Sequence, residues 1–246
     1  MSPYRLVRYL LCTSLALIAL GWWQEDTLPA PSRLAPAIAS EPTQTPVAEA
    51  AFEVSAQDIR YRVKPRYAYE LNAVVVSRHH SDVWWDSAHE QWNDHINLLD
   101  LCVVWGESAT SDAYRKVSFS NTQFECHWSW RGEVAFNNNQ AANNHLVTAD
   151  PALGQQLKAI RVGDQIRLTG WLADYTTLKD GQILGTRTSS DRRTDDGPGA
   201  CEVLYVREAR LLAPPDRRGR KMLQLGGVLL LLGLVGWFWL PPRFDR

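Results

Sequence analysis

The sequence predicts a mainly β protein with one short helix: a small OB-like β-barrel flanked by two transmembrane helices. Three observations carry this expectation. An uncharged apolar run lies near each end, at 9–23 and 222–242. Between them, short runs rich in β-branched and aromatic residues are separated by turn residues. A single helical signal falls late, before the last strands, as in the oligonucleotide/oligosaccharide-binding barrel.

The second apolar run, MLQLGGVLLLLGLVGWFWLPP, is long enough to cover the ~30 Å hydrocarbon core at ~1.5 Å per residue. It has no polar face, which argues against a buried core helix. The first, YLLCTSLALIALGWW, reaches about two-thirds of that distance, enough for a short anchor or a signal-peptide core. No small-x-small cleavage pattern follows it closely. Trp22, Trp23, Trp237 and Trp239 stand near the ends of the two runs, where indoles favour the lipid–water boundary. The lipid bilayer is thus the first expected partner. Arg5, Arg8 and the amino terminus favour a cytoplasmic start, so the middle of the chain is expected in the periplasm, on the far side of a bacterial inner membrane. The basic cluster Arg217, Arg218, Arg220 and Lys221 argues the other way and keeps a cytoplasm-facing scaffold as an alternative.

Four divisions follow: an anchor at 1–26, a Pro/Ala-rich spacer at 27–56, a β-rich domain at 57–214 and a C-terminal span with a short tail at 215–246. Within the domain, strands are expected at 67–77, 99–105, 116–119, 123–130, 165–175, 182–188 and 201–206, the last extended at 209–212. The stretch 78–98 is polar and Trp-rich with room for a short helix, and 137–144 reads as a loop. Asp150 before Pro151 is an N-cap signal, followed by an apolar face of Leu153, Leu157 and Ile160. Gly170 marks a bulge, and Asp180-Gly181 a hairpin turn.

Three separated segments carry a family likeness: DLCVVWG (100–106), ANNHLVTADPALGQQLKAIRVGDQIRLTGWL (142–172) and SSDRRTDDGPGACEVLYV (189–206). They resemble a group of uncharacterised bacterial membrane-anchored proteins that share Trp-Gly, Asn-x-His-Leu and Arg-x-Asp-x-Gly-x-Gly-Ala-Cys-Glu motifs. The matched positions are Trp105, Gly106, Asn144, His145, Gly163, Gly170, Ser189, Ser190, Arg193, Asp195, Gly197, Gly199, Cys201 and Glu202. The chain departs from the pattern at 78–98, which reads as an insertion, and around Cys126-His127. The likeness implies a shared domain and no particular chemistry.

Four cysteines are present. Cys12 lies in the first apolar run, which leaves three in the domain and at most one internal disulfide; the expected pair is Cys126 with Cys201. His145 and Cys201 are the residue types of a base and a nucleophile, with Asp195 or Glu202 to orient the imidazole, the constellation of an envelope hydrolase. No cysteine-hydrolase signature surrounds Cys201, and a cysteine opening an apolar strand is more often structural. Arg193, Asp195 and Glu202 have the types used on phosphodiesters, but the net charge of -1 offers no basic surface to draw a polyanion, so no nucleic-acid partner is expected. His79, His80, His89 and His95 lie close in sequence. In HEQWNDH (89–95), however, the two histidines are six apart and face about 240° apart on a helix. Neither a metal nor a cofactor is expected. Trp128 and Trp130, two apart on a strand, share a face and with Trp105, Ser189, Ser190 and Arg193 are the candidate contacts for an envelope protein or glycan. The alternative use of tryptophans here is to fill the core.

Overall fold

A computed structural model describes residues 2–81, 83, 86–192 and 201–240, with the backbone alone for Ala88. The chain divides into two compact units, 1–27 with 216–246, and 28–215.

The first unit is a pair of helices, α1 (Pro3–Glu25) and α5 (Arg218–Trp239), each long and apolar enough to cross a membrane. Helix α1 starts at a Ser2 cap and continues beyond the apolar run at both ends, so its 23 residues rise ~34 Å rather than two-thirds of a bilayer core. The helices pack antiparallel along a seam of small residues. Val7, Ser14 and Gly21 are buried on α1, and Gly219, Gly226 and Gly233 on α5, each series at seven-residue spacing. A Cβ on Gly226 would stand 2.8 Å from Ile18 and 3.0 Å from the Ser14 carbonyl. Small residues on a heptad seam let two backbones approach closely, which is how apolar helices associate where lipid supplies no hydrophobic drive.

The second unit is mainly β. Its strands are β1 (Thr43–Pro46), β2 (Phe52–Ala56), β3 (Ile59–His80), β4 (Asn97–Val104), β5 (Ser118–Asn121), β6 (Cys126–Ser129), β7 (Ala141–Val147), β8 (Gln165–Lys179), β9 (Gln182–Arg187) and β10 (Glu202–Leu211). Short helices α2 (Ser87–Gln91), α3 (Gly106–Thr110) and α4 (Pro151–Lys158) connect them. Eight strands form one mixed sheet in the order β1-β3-β4-β7-β10-β8-β9, with β2 also on β3; β5 and β6 make a separate hairpin. Strand β3 pairs with both β4 and β8, so the circuit β3-β4-β7-β10-β8 returns to its start. All its pairings are antiparallel except β7 with β10. One face of this circuit forms the main core, including Leu71, Leu101, Leu146, Leu168 and Leu204, which α4 covers with Leu153 and Leu157.

Two expectations are corrected. Residues 28–56 are no extended spacer: β1 and β2 pair with β3, and Ile38 is fully buried in a second core cluster. Pro-rich composition permits this because the segment lies along a strand edge and in short 3₁₀ turns at Pro31–Arg33 and Pro36–Ala39. Residues 141–144 are strand rather than loop, because pairing with β4 and β10 takes up their backbone and the Asn143 amide finds a partner in Phe124. Strand β3 also begins earlier than expected; its first part, IRYRVKPR, alternates buried and exposed residues. Other signals hold. Asp150 Oδ1 caps α4 by accepting from the backbone N–H of Ala152 and Leu153 at 2.8 and 3.2 Å. Asp180 and Gly181 both have positive φ, as a type I′ hairpin requires. The bulge near Gly170 falls on the facing strand, between Val206 and Glu208.

Candidate functional site

The outer face of β4 and β7 is where polar groups gather. Side chains alternate along a strand, so Leu99, Leu101 and Val103 enter the core, while Asp100 and Cys102 face outward. Across the ladder Asp100 is paired with His145, and Cys102 with Asn143. On the next strand the register continues through Glu202 opposite Asn144, which places Cys201 beside Asn143 on the outer face. Glu202 and Asn144 point the other way, toward the core. Asn144 is fully buried and, among the described residues, neither of its amide atoms has a hydrogen-bond partner.

The β5–β6 hairpin and its tip, 122–125, lie over this face and are tied down at several points. A disulfide joins Cys102 to Cys126. The Asn143 amide holds the tip by both ends, Nδ2 donating to the Phe124 carbonyl at 2.9 Å and Oδ1 accepting from Asn121 Nδ2 at 3.2 Å. The expected Cys126–Cys201 bridge is therefore corrected: the β4 register brings Cys102 under the hairpin, and Cys201 is a free, partly exposed thiol. Its Sγ lies 3.5 Å from the Phe124 carbonyl oxygen and 3.6 Å from Asn143 Nδ2.

His145 and Asp100 are 2% and 0% exposed, with Nδ1 2.7 Å from Oδ1. Burial alone would lower the basicity of this imidazole. The Asp100 charge and hydrogen bond, with a smaller contribution from the nearby Cys201 side chain, outweigh it and raise the pKa to about 9. The orienting carboxylate is thus Asp100, not Glu202, which faces the opposite side of the sheet. Asp195 and Arg193 lie outside the described residues, as do Trp84, Trp85, Gly197 and Gly199.

From Asp100 the polar contacts run outward without a break. Turned so that its nitrogen faces Asp100 at 3.3 Å, the Asn97 amide presents its oxygen to Arg187 and to His89 Nε2, both at 3.0 Å. His89 Nδ1 meets Asp86 at 2.7 Å, and Asp86 meets His79 at 2.7 Å. Burial raises the Asp86 carboxyl pKa, but hydrogen bonds from His79 and the His89 backbone reverse it and hold the group below its ordinary value. Two of the four clustered histidines therefore flank one carboxylate, while His80 contacts Arg78. Among the described residues no group of three or more His, Cys, Asp or Glu has the arrangement of a metal site.

Above this chain of contacts Phe124 is the aromatic centre. Arg187 lies 4.6 Å from its ring centroid, and the exposed Trp92 stacks on it at 5.2 Å and 14°. An open groove of about 460 Å³ runs here, lined by His79, Asn121, Thr122, Gln123, Phe124 and Glu125.

The other expected contacts fall elsewhere. Trp105 is fully buried, its Nε1 donating to Glu41 at 2.8 Å. Trp128 is half-buried against the second core cluster with Nε1 on Asn138 Oδ1 at 2.9 Å, and Trp130, at the surface, leans on Phe136. They form no open platform. Ser189 and Ser190 are buried turn-formers: Ser189 Oγ accepts from the Val203 N–H, and Ser190 N–H donates to the Cys201 carbonyl, both at 3.0 Å. Asp100, Asn97, Phe124, Arg187 and Trp92 were not singled out by sequence, and Asn143 stood there only as the first residue of the Asn-x-His-Leu motif. Asp100 left a signal as the one charge inside the apolar run LDLCVVW.

Compared with family models, with curated proteins and with solved structures, the chain matches none of them.

Proposed function

We propose that this protein is a membrane-anchored module of the bacterial envelope whose β-domain lies in the periplasm and binds an oligosaccharide through an OB-type barrel. The observation that carries the reading is the polar outer face of β4 and β7, bordered by 86–96 and 188–192 and roofed by the Phe124 hairpin. Five strands in a closed pairing circuit, with the third parallel to the fifth and a helix between the third and fourth, match an OB-type arrangement. Modules of that type take ligands on the second and third strands, between the loop after strand one and the loop after strand four. The analogy gives only a place; the residues give the ligand class. Amide, hydroxyl and carboxylate side chains beside an exposed indole suit a neutral sugar, whereas a net charge of -1 gives no counterion-release drive toward nucleic acid. The Cys102–Cys126 disulfide supports the periplasmic placement, since such bonds persist in oxidising compartments.

Co-sedimentation of the full chain in detergent with isolated peptidoglycan sacculi tests the reading. Retention is expected, with Trp92→Ala weakening it about three- to tenfold, the size of one stacking contact. No retention, or equal retention of the variant, contradicts it.

A further inference from the structure

We propose that Cys201 is the nucleophile of an acyl-transfer site acting on carboxylic esters, with His145 as its base, Asp100 orienting the imidazole and Asn143 donating to the oxyanion. The proposal stands apart from what the groove above it binds. Its basis is a convergence. The Cys201 thiol and the Asn143 amide both address one carbonyl oxygen, that of Phe124, at 3.5 and 2.9 Å. A substrate carbonyl in this seat would have its oxygen held by an amide donor with a thiol beside it, the groups an acyl transfer needs on one face. The hairpin's own peptide occupies the seat, so a substrate enters by displacing the Phe124 carbonyl.

Asp100 engages His145 Nδ1 and thereby leaves Nε2 for the thiol. Among the described residues the other charged group near the imidazole is Arg187, on β9, whose field opposes protonation; Phe124 is the ring above. In the reaction, the neutral imidazole takes the Sγ proton at Nε2 as sulfur bonds to the ester carbon. The carbonyl π electrons move to oxygen, where Asn143 Nδ2 donates to them. Collapse breaks the bond to the alkoxide, which leaves with the Nε2 proton, and a thioester remains on Cys201. Water, deprotonated by the same nitrogen, then cleaves the thioester to a carboxylic acid and restores the thiol. No outside oxidant or reductant is needed.

The test uses the full chain in detergent with p-nitrophenyl acetate, reading acetylation of Cys201 by peptide mass spectrometry. Wild type is expected to acetylate at Cys201 faster than the denatured chain, with a rate that rises with pH through about 9 as His145 loses its proton. His145→Gln is expected to slow the step about 100-fold or more, the range for loss of a general base. Because His145 is buried, Asn143→Ala supplies a second reading. It removes the outer-face amide with its two bonds to the hairpin tip, leaves the His145–Asp100 pair in place, and is expected to slow acetylation at least about tenfold, with the Cys102–Cys126 bond still formed. An unacetylated wild-type Cys201, a wild-type rate no faster than the denatured chain, or an Asn143→Ala variant reacting at the wild-type rate overturns the proposal.

Discussion

Asp100 and His145 meet across the β4–β7 ladder with 2.7 Å between carboxylate and imidazole, and both side chains are buried. The pair makes stability depend on pH in a definite direction. The folded His145 pKa is raised from 6.5 to about 9, so the folded chain holds a proton that the unfolded chain has released. That contribution is complete below about pH 6.5, is lost as pH rises to about 9, and amounts to about 3 kcal/mol. Thermal melts of the wild type are therefore expected to drop by several degrees across this window. Melts of His145→Gln are expected to stay level there; a wild-type Tm that holds steady from pH 6.5 to 9 contradicts the assignment. Asp86 acts in the opposite sense, since its lowered pKa contributes above the ordinary carboxylate range and is lost as pH falls below it.

The Cys102–Cys126 disulfide closes a loop of 24 residues. Chain-entropy arguments give such a closure about 3 kcal/mol. Replacing both cysteines by serine is expected to lower Tm and to raise amide exchange at 118–129, while β3 and β8 stay protected. Exchange that rises equally in all strands would show that the bond braces the whole sheet rather than its hairpin.

Gly226 and Gly227 are adjacent on α5 but face different surroundings. A Cβ at Gly226 meets α1 at 2.8 Å, whereas one at Gly227 meets nothing within 4 Å. Gly226→Leu is expected to separate the two helices and lower the melting temperature in detergent; Gly227→Leu is expected to leave it unchanged. Equal behaviour of the two variants would rule out the glycine seam.

Gly170 faces Val206 in the β8–β10 ladder, and a Cβ there would lie 2.1 Å from the Tyr205 carbonyl oxygen. Backbone cannot swing aside as a side chain can. Gly170→Ala is expected to cost at least about 2 kcal/mol, whereas Gly185→Ala, with open space around it, costs little. Denaturant melts of the two variants distinguish these outcomes.

Local signals were legible where chemistry and position act together. The Asp150 cap, the Asp180-Gly181 turn and the apolar runs at the ends could be read because a few neighbouring residues determine them. Strand β7 could not, because Asn143 and Asn144 are poor strand formers held by register and by partners far along the chain. The site was half visible for the same reason. His145 and Cys201 stood out as residue types, but their neighbours Asp100 and Asn143 become relevant only once β4, β7 and β10 are side by side. The disulfide was misread because Cys126 sits on a hairpin that folds back over β4, which nothing in the local sequence encodes. The glycines at 219, 226 and 233 form a seven-residue series in the sequence, and their partners on α1 emerge only once the two helices are paired.

Placement of the β-domain outside the cytoplasm is tested most directly by thiol counting in cells. Cells expressing the full chain are quenched in acid, denatured and treated with a polyethylene-glycol maleimide, before and after reduction. Of the four cysteines, Cys12 and Cys201 are expected to react without reduction, and all four after it. Four reactive thiols in unreduced samples would mean that Cys102 and Cys126 face a reducing compartment, and would contradict the periplasmic reading.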